Sequence, residues 1–454
     1  MNAPVLSKPP AARPPLKALD DALAELLARA LPLAGIQMLS TFDADGRVLA
    51  QDVVSALQVP PEDNSAMDGY AVRGTDLADG AAVLRVSQRI AAGSSGSALE
   101  PGTVARIFTG APIPEGADAV VMQEDCEPLA DQAGFVRVTQ TPRPGQWIRR
   151  AGEDVARGAT VLSKGELLTP ASLGLAASIG MSALQVARPP RVALFSTGDE
   201  LVMPGEVAPA DMRSGAIYNS NRFFLRALLL RLGCEVSDLG IVPDQREATL
   251  DALRRASEGH DLILTSGGVS VGEEDHIKPA VQQLGTLDLW QIAMKPGKPF
   301  AYGRINRTVH SELVEGCSDR TAHPELVKGR SEPSTSSTQT DFAHFMGLPG
   351  NPVSSFMTFL LLVRPFLLRL QGATNVAIKP IAARAHFTWD KADKRREFLR
   401  VRRDAQGGLE LFANQSSGVL TSAVWGDGVV DNPPGQRIAH GDTVQFIAFS
   451  EWLA

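Results

Sequence analysis

Two segments indicate the type of domain at the centre of the chain: VALFSTGDEL (residues 192–201) and DLILTSGGVSVGEEDH (residues 261–276). Each begins with a continuous apolar run, which predicts a buried strand, and continues directly into small polar and acidic residues. A further strand is predicted at residues 235–241, and helices are predicted at residues 221–232 and 248–258. Strands that alternate with helices at this spacing predict a doubly wound parallel sheet with helices on both faces.

The segments on either side of this centre differ from it. Residues 16–30 repeat Leu and Ala at helical spacing, which predicts an amphipathic helix. Residues 47–150 consist of short β-type runs separated by Gly and Pro, and residues 382–449 return to short alternating strands. Residues 306–340 are polar and rich in Ser and Thr, which predicts a flexible insertion. A long apolar helix at residues 353–370 closes the central unit.

Composition and charge exclude several classes of protein. The 454 residues include 44 Lys and Arg against 51 Asp and Glu, a formal net charge of −7. With 44% hydrophobic residues, 21% charged residues, 41 Gly and 31 Pro, the chain is globular and rich in turns, neither fibrous nor disordered throughout. The acidic balance argues against a dedicated nucleic-acid binder, because such a protein needs a basic face to displace counterions from phosphates.

Cysteine content and hydropathy favour a cytoplasmic protein that does not bind membranes. The sequence contains only three cysteines: Cys126, Cys234 and Cys317. No CxxC occurs, so neither a disulfide framework nor a cysteine-rich zinc site is expected. Residues 1–15 hold five prolines and no continuous apolar run, unlike a secretory signal. The most apolar segment, residues 356–370, is interrupted by Arg364 and Pro365, and a membrane-spanning helix needs about 20 apolar residues.

A loop of small polar residues follows each of the two central strands. These residues are Ser196, Thr197 and Gly198 after the first strand, and Ser266, Gly267, Gly268 and Ser270 after the second. Doubly wound sheets bind ligands beyond the carboxyl ends of their strands, and glycines with hydroxyl and free N–H groups suit an anion. Each loop also contains two adjacent acidic residues, of which the second is Glu200 in the first loop and Asp275 in the other. These acid pairs suggest a bound Mg²⁺ that bridges phosphate oxygens. A capped turn without a ligand stays the alternative for each loop.

Four further segments are candidates for a site. Two lysines protrude from the stiff KPGKP turn at residues 295–299, and a helix that begins at Pro352 directs its first N–H groups towards the preceding loop. Residues 394–403 are strongly basic, and Asp68 sits in a polar turn beside a glycine. Solvated turns, a plain helix start and a solvated basic face are the alternatives. The residues alone therefore indicate a Mg²⁺-dependent transferase for a phosphorylated or adenylylated substrate and a second oxyanion.

Seven motifs in this order resemble those of one family: DNSAMDGYAVR, RIFTGAPIPEGADAVVMQE, GEDV, ALFSTGDEL, SGGVSVGEEDH, KPGKPFAYG and GLPGNPVSS. They are similar to the molybdopterin molybdenumtransferase family, which includes MoeA and the E-domains of plant Cnx and of gephyrin. The resemblance extends from about residue 16 to residue 449, apart from the insertion. It implies that molybdate is inserted into adenylylated molybdopterin, giving the molybdenum cofactor and AMP, with Mg²⁺ as the cation.

The resemblance also implies an architecture, an α/β plus β multidomain fold with a central α/β domain of the molybdopterin-binding type. Four domains are predicted: a helical and extended N-terminal domain of residues 1–52 and 154–188, an inserted β-rich domain of residues 53–153, the α/β domain of residues 189–372, and a C-terminal β-barrel-like domain of residues 373–454. The family forms elongated homodimers, so a second copy is the expected partner. Other proteins of cofactor biosynthesis or molybdoenzyme maturation are further expected partners.

Motif by motif, the resemblance assigns roles to particular residues. The expected catalytic residues are Asp68, Thr109, Asp154, Glu200, Asp244 and Asp275, of which Glu200, Asp244 and Asp275 would hold the cation. The expected substrate and molybdate residues are the seven loop residues named above together with Lys295, Lys298, Pro349, Pro352, Ser354, Arg400 and Ser417.

Two departures from the family pattern and two alternative functions accompany this assignment. Gln291 stands where some bacterial members carry a lysine, and residues 306–340 stand where the family has a short turn. One alternative is an adenylyltransferase acting one step earlier, although its fold resembles the α/β domain alone. The other is a gephyrin-like scaffold or binding protein, which would not need acids and lysines in this combination.

Overall fold

The computed structural model describes residues 16–78, 80–268, 276–307 and 341–453. The first part of the chain forms two helices and many short strands. In chain order these elements are α1 (Leu19–Arg29), β1 (Ile36–Ser40), β2 (Val53–Val54), β3 (Asn64–Ser65), β4 (Gly69–Val72), β5 (Ala82–Ile90), β6 (Thr103–Ile107), β7 (Ala119–Met122), β8 (Cys126–Pro128), β9 (Phe135–Val138), β10 (Ile148–Arg149), β11 (Thr160–Leu162), α2 (Pro170–Ser178) and β12 (Ala183–Ala187). Strands β4 to β9 build a six-stranded sheet in the order β7-β4-β6-β5-β9-β8. The remaining strands pair β1 with β12, β2 with β11 and β3 with β10.

One small core joins segments that are distant in the chain. Leu49 and Val53 pack in the same buried cluster as Leu162, Leu184 and Val186. The chain therefore leaves this core after β2, builds the β-rich sheet, and returns to the core at β11. A second and separate apolar cluster fills the β-rich sheet itself.

Local sequence explains where each of the two helices of this part begins or ends. α1 lies within the predicted residues 16–30 and carries Arg29 in its last turn, where a cation complements the helix dipole. α2 follows Thr169, whose hydroxyl oxygen accepts a hydrogen bond of 3.2 Å from the N–H of Ser172. Pro170 occupies the first position of α2, where its missing N–H costs no hydrogen bond.

The middle of the chain forms the central α/β domain. Its elements are β13 (Arg191–Thr197), β14 (Leu201–Val202), β15 (Ile217–Tyr218), α3 (Asn221–Arg231), β16 (Glu235–Val242), α4 (Arg246–Gly259), β17 (Leu262–Ser266), α5 (Ile277–Leu284), β18 (Gly285–Gln291), β19 (Met294–Lys295), β20 (Pro299–Asn306), β21 (Phe342–Leu348), α6 (Pro352–Thr358) and α7 (Arg364–Leu370). The main sheet has the strand order β16-β13-β17-β21-β20-β18. Two separate apolar clusters line its two faces, which confirms a sheet covered on both sides.

The predicted parallel sheet forms, but one edge of it is antiparallel. Strands β16, β13, β17 and β21 are parallel, whereas β20 is antiparallel to both of its neighbours, β21 and β18. A parallel connection needs a crossover of a dozen or more residues, usually a helix. Only residues 292–298 separate β18 from β20, so the chain turns back instead of crossing over.

The predicted insertion leaves and re-enters the fold at one end of an antiparallel pair. Asn306 of β20 lies opposite Phe342 of β21, and the N–H of Arg307 donates a hydrogen bond of 3.0 Å to the carbonyl of Asp341. The predicted position between two strands is therefore confirmed. Residues 308–340 lie outside the described residues, as does Cys317.

One helical segment of the described chain, Pro352–Leu370, is long and apolar enough to cross a membrane by length and composition alone. It comprises α6, a π-helical turn at Phe359–Val363, and α7. Its most apolar stretch is 83% buried inside the protein. The segment therefore serves as the core helix of the central domain, packed beneath the sheet in the largest apolar cluster.

The C-terminal part forms a second β domain that includes one strand of the central domain. Its own elements are β22 (Ile381–Arg384), β23 (Arg396–Arg403), β24 (Leu409–Leu411), α8 (Thr421–Trp425), β25 (Gly428–Asn432), β26 (Thr443–Ala448) and α9 (Phe449–Leu453). The sheet has the order β19-β23-β25-β26-β22, with β24 beside β23. Because β19 belongs to the preceding domain and pairs in parallel with β23, the two domains share a sheet.

A buried ion pair connects the N-terminal domain to the central sheet. Arg188 donates through its two terminal nitrogens to the two carboxylate oxygens of Asp261, at 2.7 and 2.8 Å. The N–H of Arg191 donates to the same carboxylate at 2.8 Å. Burial alone would raise the pKa of Asp261, but these hydrogen bonds outweigh it and hold the pKa below its usual value.

We predict that Asp261→Asn lowers the free energy of unfolding by about 3 kcal/mol, because it leaves Arg188 partly buried without a counter-charge. Since folding lowers the pKa of Asp261, its contribution is complete above about pH 4 and is lost as the pH falls further. Thermal denaturation at several pH values measures both effects. A difference between the wild type and the variant that persists unchanged at pH 2 would contradict the assignment.

Candidate active site

The carboxyl ends of β13 and β17 lie side by side, and the chain connections diverge there. From β13 the chain passes through α3 to β16 on one side, and β17 lies on the other side. Such a topological switch point opens a crevice beyond the strand ends. A cavity of about 610 Å³ lies there. Its walls include Thr197, Glu200, Asn219, Ser266, Gly267, Gly350, Asn351 and Pro352.

Three glycines let the backbone approach this crevice closely. A Cβ at Gly267 would lie 2.7 Å from the carbonyl oxygen of Thr197, and a Cβ at Gly268 would lie 2.6 Å from a side-chain carbon of Ile277. Gly198, Gly267 and Gly268 all have positive φ angles, which favour glycine. The three glycines therefore lie where the two strands end, and a side chain at Gly267 or Gly268 would clash with Thr197 or Ile277.

Some polar side chains near the crevice are paired with each other, and others have no hydrogen-bond partner among the described residues. Ser196 and Ser266 are buried and contact each other, with 3.2 Å between their hydroxyl oxygens, so they join the ends of β13 and β17. The hydroxyl of Thr197 and the side-chain N–H₂ of Asn219 are buried without a hydrogen-bond partner among the described residues. Buried polar groups are nearly always satisfied, so each of these two groups has room for a hydrogen-bond partner beyond the described residues.

The acidic residues are only partly described. Glu200 lines the cavity, and Asp199 accepts a hydrogen bond of 3.3 Å from the backbone N–H of Asp244, joining the loops that follow β13 and β16. Asp275 and Ser270 lie outside the described residues. Within the described ranges no group of three His, Cys, Asp or Glu side chains is placed to hold a metal. The three-acid cation site therefore stays a prediction.

A second cavity of about 370 Å³ adjoins the first and shares Asn351 with it. It is lined by Lys295, Pro296, Gly297, Lys298, Pro299, Asn351, Ser354, Arg395, Gln415, Ser416 and Ser417. Three of these side chains are cationic and two are hydroxyls from the segment 415–417. The structure thus brings together four of the predicted oxyanion residues, Lys295, Lys298, Ser354 and Ser417.

The cations of this second cavity differ in their partners. Lys295 lies 3.0 Å from Glu397 and 3.6 Å from Asp393, and Arg395 binds Asp393 through two nitrogens. The hydrogen bonds from Arg395 hold the pKa of Asp393 well below its usual range, against the opposing effect of burial. Lys298 forms no ion pair with any described residue.

Arg400 lies behind the second cavity and does not line it. Its guanidinium is buried, where it donates to the carbonyls of Phe398 and Ser416 and to the hydroxyl of Ser422. Burial lowers the pKa of Arg400 to about 10. Arg395, at the start of the same basic run, is the arginine that lines the cavity. The sequence marked the run but did not show which arginine points inward.

Two prolines shape the loop between the cavities. Pro352 occupies the first turn of α6. The preceding residue, Asn351, lines both cavities. Pro349 precedes this pair in the same loop and lines neither cavity. The sequence alone does not mark Asn351, Asn219 or Gln415 as site residues, because their place at the cavities depends on which strand ends meet.

The predicted catalytic residues that precede the central domain, Asp68, Thr109 and Asp154, line neither cavity. The N–H and the hydroxyl of Thr109 each donate a hydrogen bond of 2.8 Å to one oxygen of Asp68. These bonds hold the pKa of Asp68 below its usual value. Asp154 is exposed in a turn, where its N–H donates to the carbonyl of Val59. Among the described residues, none from 53–154 lines either cavity.

The fold and the two cavities define a multidomain protein with a polar crevice at the switch point of a central α/β domain and a lysine- and arginine-lined cavity beside it. The sequence matches the "MoeA N-terminal region (domain I and II)" over residues 17–180, the "Probable molybdopterin binding domain" over residues 193–369, and the "MoeA C-terminal region (domain IV)" over residues 382–449. The chain belongs to the molybdopterin molybdenumtransferase family.

Individual relatives agree with this assignment. The chain is 39% identical to a molybdopterin molybdenumtransferase of Haemophilus influenzae, over 84% of this chain and 85% of that protein. It is 33% identical to gephyrin of Dictyostelium discoideum, over 72% of this chain and 46% of that protein. The fold is also similar to the crystal structure of a molybdopterin biosynthesis MoeA protein from Pyrococcus horikoshii OT3, with 25% identity and a TM-score of 0.74. That alignment covers 96% of this chain and 100% of the Pyrococcus chain. The adenylyltransferase alternative is not favoured, because the matches extend beyond the α/β domain.

We predict that Gly267→Ala destabilises the protein more than Gly205→Ala does. Both glycines have a φ of +93°, but a Cβ at Gly205 meets nothing within 4 Å, whereas one at Gly267 meets the backbone of Thr197. The backbone strain is therefore the same in both variants. The clash lowers the free energy of unfolding by about a further 1–3 kcal/mol, the usual cost of overpacking, in Gly267→Ala alone. Chemical denaturation of the two variants measures the difference. Equal midpoints would show that the loop has room for a side chain.

Proposed function

We propose that this protein is a molybdopterin molybdenumtransferase, which inserts molybdate into adenylylated molybdopterin and releases AMP. One observation supports this most strongly: two cavities of different character share a wall at Asn351. One is a glycine cradle at strand ends, and the other carries lysine and arginine side chains. This arrangement suits a phosphate-bearing ligand held beside a small oxyanion.

The glycine cradle would bind the adenylylated molybdopterin. Its backbone N–H groups suit the diphosphate, and the unsatisfied hydroxyl of Thr197 and N–H₂ of Asn219 offer hydrogen bonds to polar groups of the ligand. The second cavity would bind molybdate, because Lys298 supplies positive charge that no described carboxylate neutralises. Ser354 and Ser417 add hydroxyl donors beside it.

Mg²⁺ is the proposed cation. Mg²⁺ usually binds one or two carboxylates together with substrate phosphates, so the single described carboxylate in the first cavity, that of Glu200, fits this mode. When bound, the ion would neutralise charge on the diphosphate during its cleavage. Asp244 and Asp275 remain its further proposed ligands.

The protein's own described thiols do not compete for molybdenum. Burial raises the pKa of Cys126 and of Cys234 to about 12, so both are neutral thiols at physiological pH. Only a thiolate ligates metal effectively. In the proposed reaction the sulfur ligands are those of the substrate's dithiolene. Free thiols also agree with the proposed cytoplasmic location.

The experiment that tests this function is AMP release from adenylylated molybdopterin by the purified protein with Mg²⁺, with and without molybdate. Molybdate-dependent release, together with formation of active molybdenum cofactor, is the expected result. Binding of the substrate without release under either condition would favour the scaffold alternative instead.

We predict that Glu200→Gln raises the Mg²⁺ concentration for half-maximal AMP release by about ten-fold, because an amide oxygen binds Mg²⁺ more weakly than a carboxylate. Glu206→Gln is the matched control, since Glu206 is exposed and follows β14 without lining the cavity. A Mg²⁺ titration of both variants measures the effect. An unchanged requirement in Glu200→Gln would remove this carboxylate from the cation site.

The proposed assembly is a homodimer. Ile36 and Met38, two positions apart, lie on the same face of β1, and their side chains are 60% and 65% exposed. Nearby Phe42 is 96% exposed. Apolar side chains grouped in this way are typical of a protein interface. A second copy is the proposed occupant, because Asp68 and Thr109 lie away from this chain's own cavities and a partner chain would supply them.

We predict that Met38→Lys shifts the protein from dimer to monomer and lowers AMP release, because the charge cannot be buried in an apolar interface. Val424→Lys is the control, since Val424 is 83% exposed on α8, far along the chain from β1. Sedimentation velocity measures the oligomeric state of both variants. A Met38→Lys protein that sediments like the wild type would place the interface elsewhere.

A further inference from the structure

A buried carboxylate of the C-terminal domain supports the second cavity. Glu397 lies on β23, and its side chain has no exposed surface. Burying a carboxylate is costly unless hydrogen bonds and an opposite charge compensate it. The contacts of Glu397 show what provides this compensation.

Both oxygens of Glu397 accept hydrogen bonds. Oε1 accepts from the ammonium of Lys295 at 3.0 Å. Oε2 accepts from the indole N–H of Trp389 at 2.8 Å and from the side-chain amide of Asn432 at 3.4 Å. Every partner is a donor, so an amide nitrogen would be mismatched at either oxygen position. The surroundings therefore require a carboxylate.

The backbone brings the same two residues together. In the parallel pairing of β19 with β23, Lys295 lies opposite Glu397. Strand pairing and the side-chain ion pair thus join the KPGKP turn of the central domain to the C-terminal domain at one point. The ammonium of Lys295 also lies 3.6 Å from Asp393, which belongs to the C-terminal domain as well.

The two lysines of the second cavity consequently differ in electrostatic character. Lys295 is held between two carboxylates, and its charge is compensated before any ligand binds. Lys298 has no ion pair with a described residue. A compensated ammonium attracts an anion weakly but still directs its hydrogen bonds, whereas an uncompensated ammonium attracts the anion strongly.

We propose that Glu397 is a positioning residue that fixes the ammonium of Lys295 at the wall of the second cavity. This proposal rests on the function proposed above, in which the anion in this cavity is molybdate. Lys298 attracts the molybdate, and Lys295, held by Glu397, orients it towards the neighbouring cavity. Misplacement of a reacting group by about 1 Å costs on the order of 100-fold in rate, so such an anchor has a large effect.

The test is Glu397→Gln, which keeps the size of the side chain and removes its charge. We expect the rate of AMP release at saturating molybdate to fall by about ten-fold or more, and the half-saturating molybdate concentration to stay within about three-fold of the wild type. Glu410→Gln is the matched control. Glu410 lies on neighbouring β24, pairs with Arg402, and lines neither cavity.

A double variant tests whether Glu397 acts through Lys295. If it does, Lys295→Ala combined with Glu397→Gln is no slower than Lys295→Ala alone. Additive losses in the double variant overturn the proposal. An altered half-saturating concentration with an unchanged rate also overturns it, since that result indicates charge balance only. If Glu397→Gln fails to fold, Glu397→Asp, which keeps the charge but shortens the side chain, is expected to show the same loss of rate.

A measurement that needs no enzymatic activity separates this proposal from the proposed function. Acylation of Lys295 by an amine-reactive reagent, followed by mass spectrometry, should be several-fold faster in Glu397→Gln than in the wild type and unchanged in Glu410→Gln. An equal rate of acylation in all three proteins overturns the anchoring of Lys295. If the wild type released no AMP, the proposed function would fail, while this labelling would still test the pair.

Discussion

The parallel pairing of β13 with β17 is the constraint on which the site depends. It sets two strand ends side by side at the point where the chain connections diverge, and this divergence opens a crevice between them. The loops must approach each other closely, and only glycine fits at Gly267 and Gly268. The cavity is therefore a consequence of strand order, and the glycines keep it open.

A second constraint is the sheet that two domains share. β19 leaves the central domain and pairs with β23, so the wall of the second cavity is assembled from both domains. Lysines come from one domain, and Arg395 and the segment 415–417 come from the other. A pocket built in this way exists only when the two domains are docked, so the proposed function of this cavity would depend on the shared sheet.

Charge compensation distinguishes the structural ion pairs from the site. Asp261 and Arg188, which join the N-terminal domain to the central sheet, are paired with each other. In the cavity region, Lys295 and Arg395 are paired, whereas Lys298 is left without a described partner. Because a paired lysine or arginine contributes little net charge, Lys298 would set the electrostatic field that the proposed oxyanion meets.

The amino-acid sequence by itself determined the alternation of strands and helices, the polar loops after β13 and β17, and the family, because these features depend on local hydrophobic pattern and on motifs that neighbouring residues form. Only the tertiary structure decided the direction of β20, since that depends on a short connection with no crossover helix. It also decided that Arg395 rather than Arg400 lines the second cavity, and that Asn351 joins the two cavities. Those outcomes depend on which distant segments pack together, and no local pattern in a single sequence records that packing.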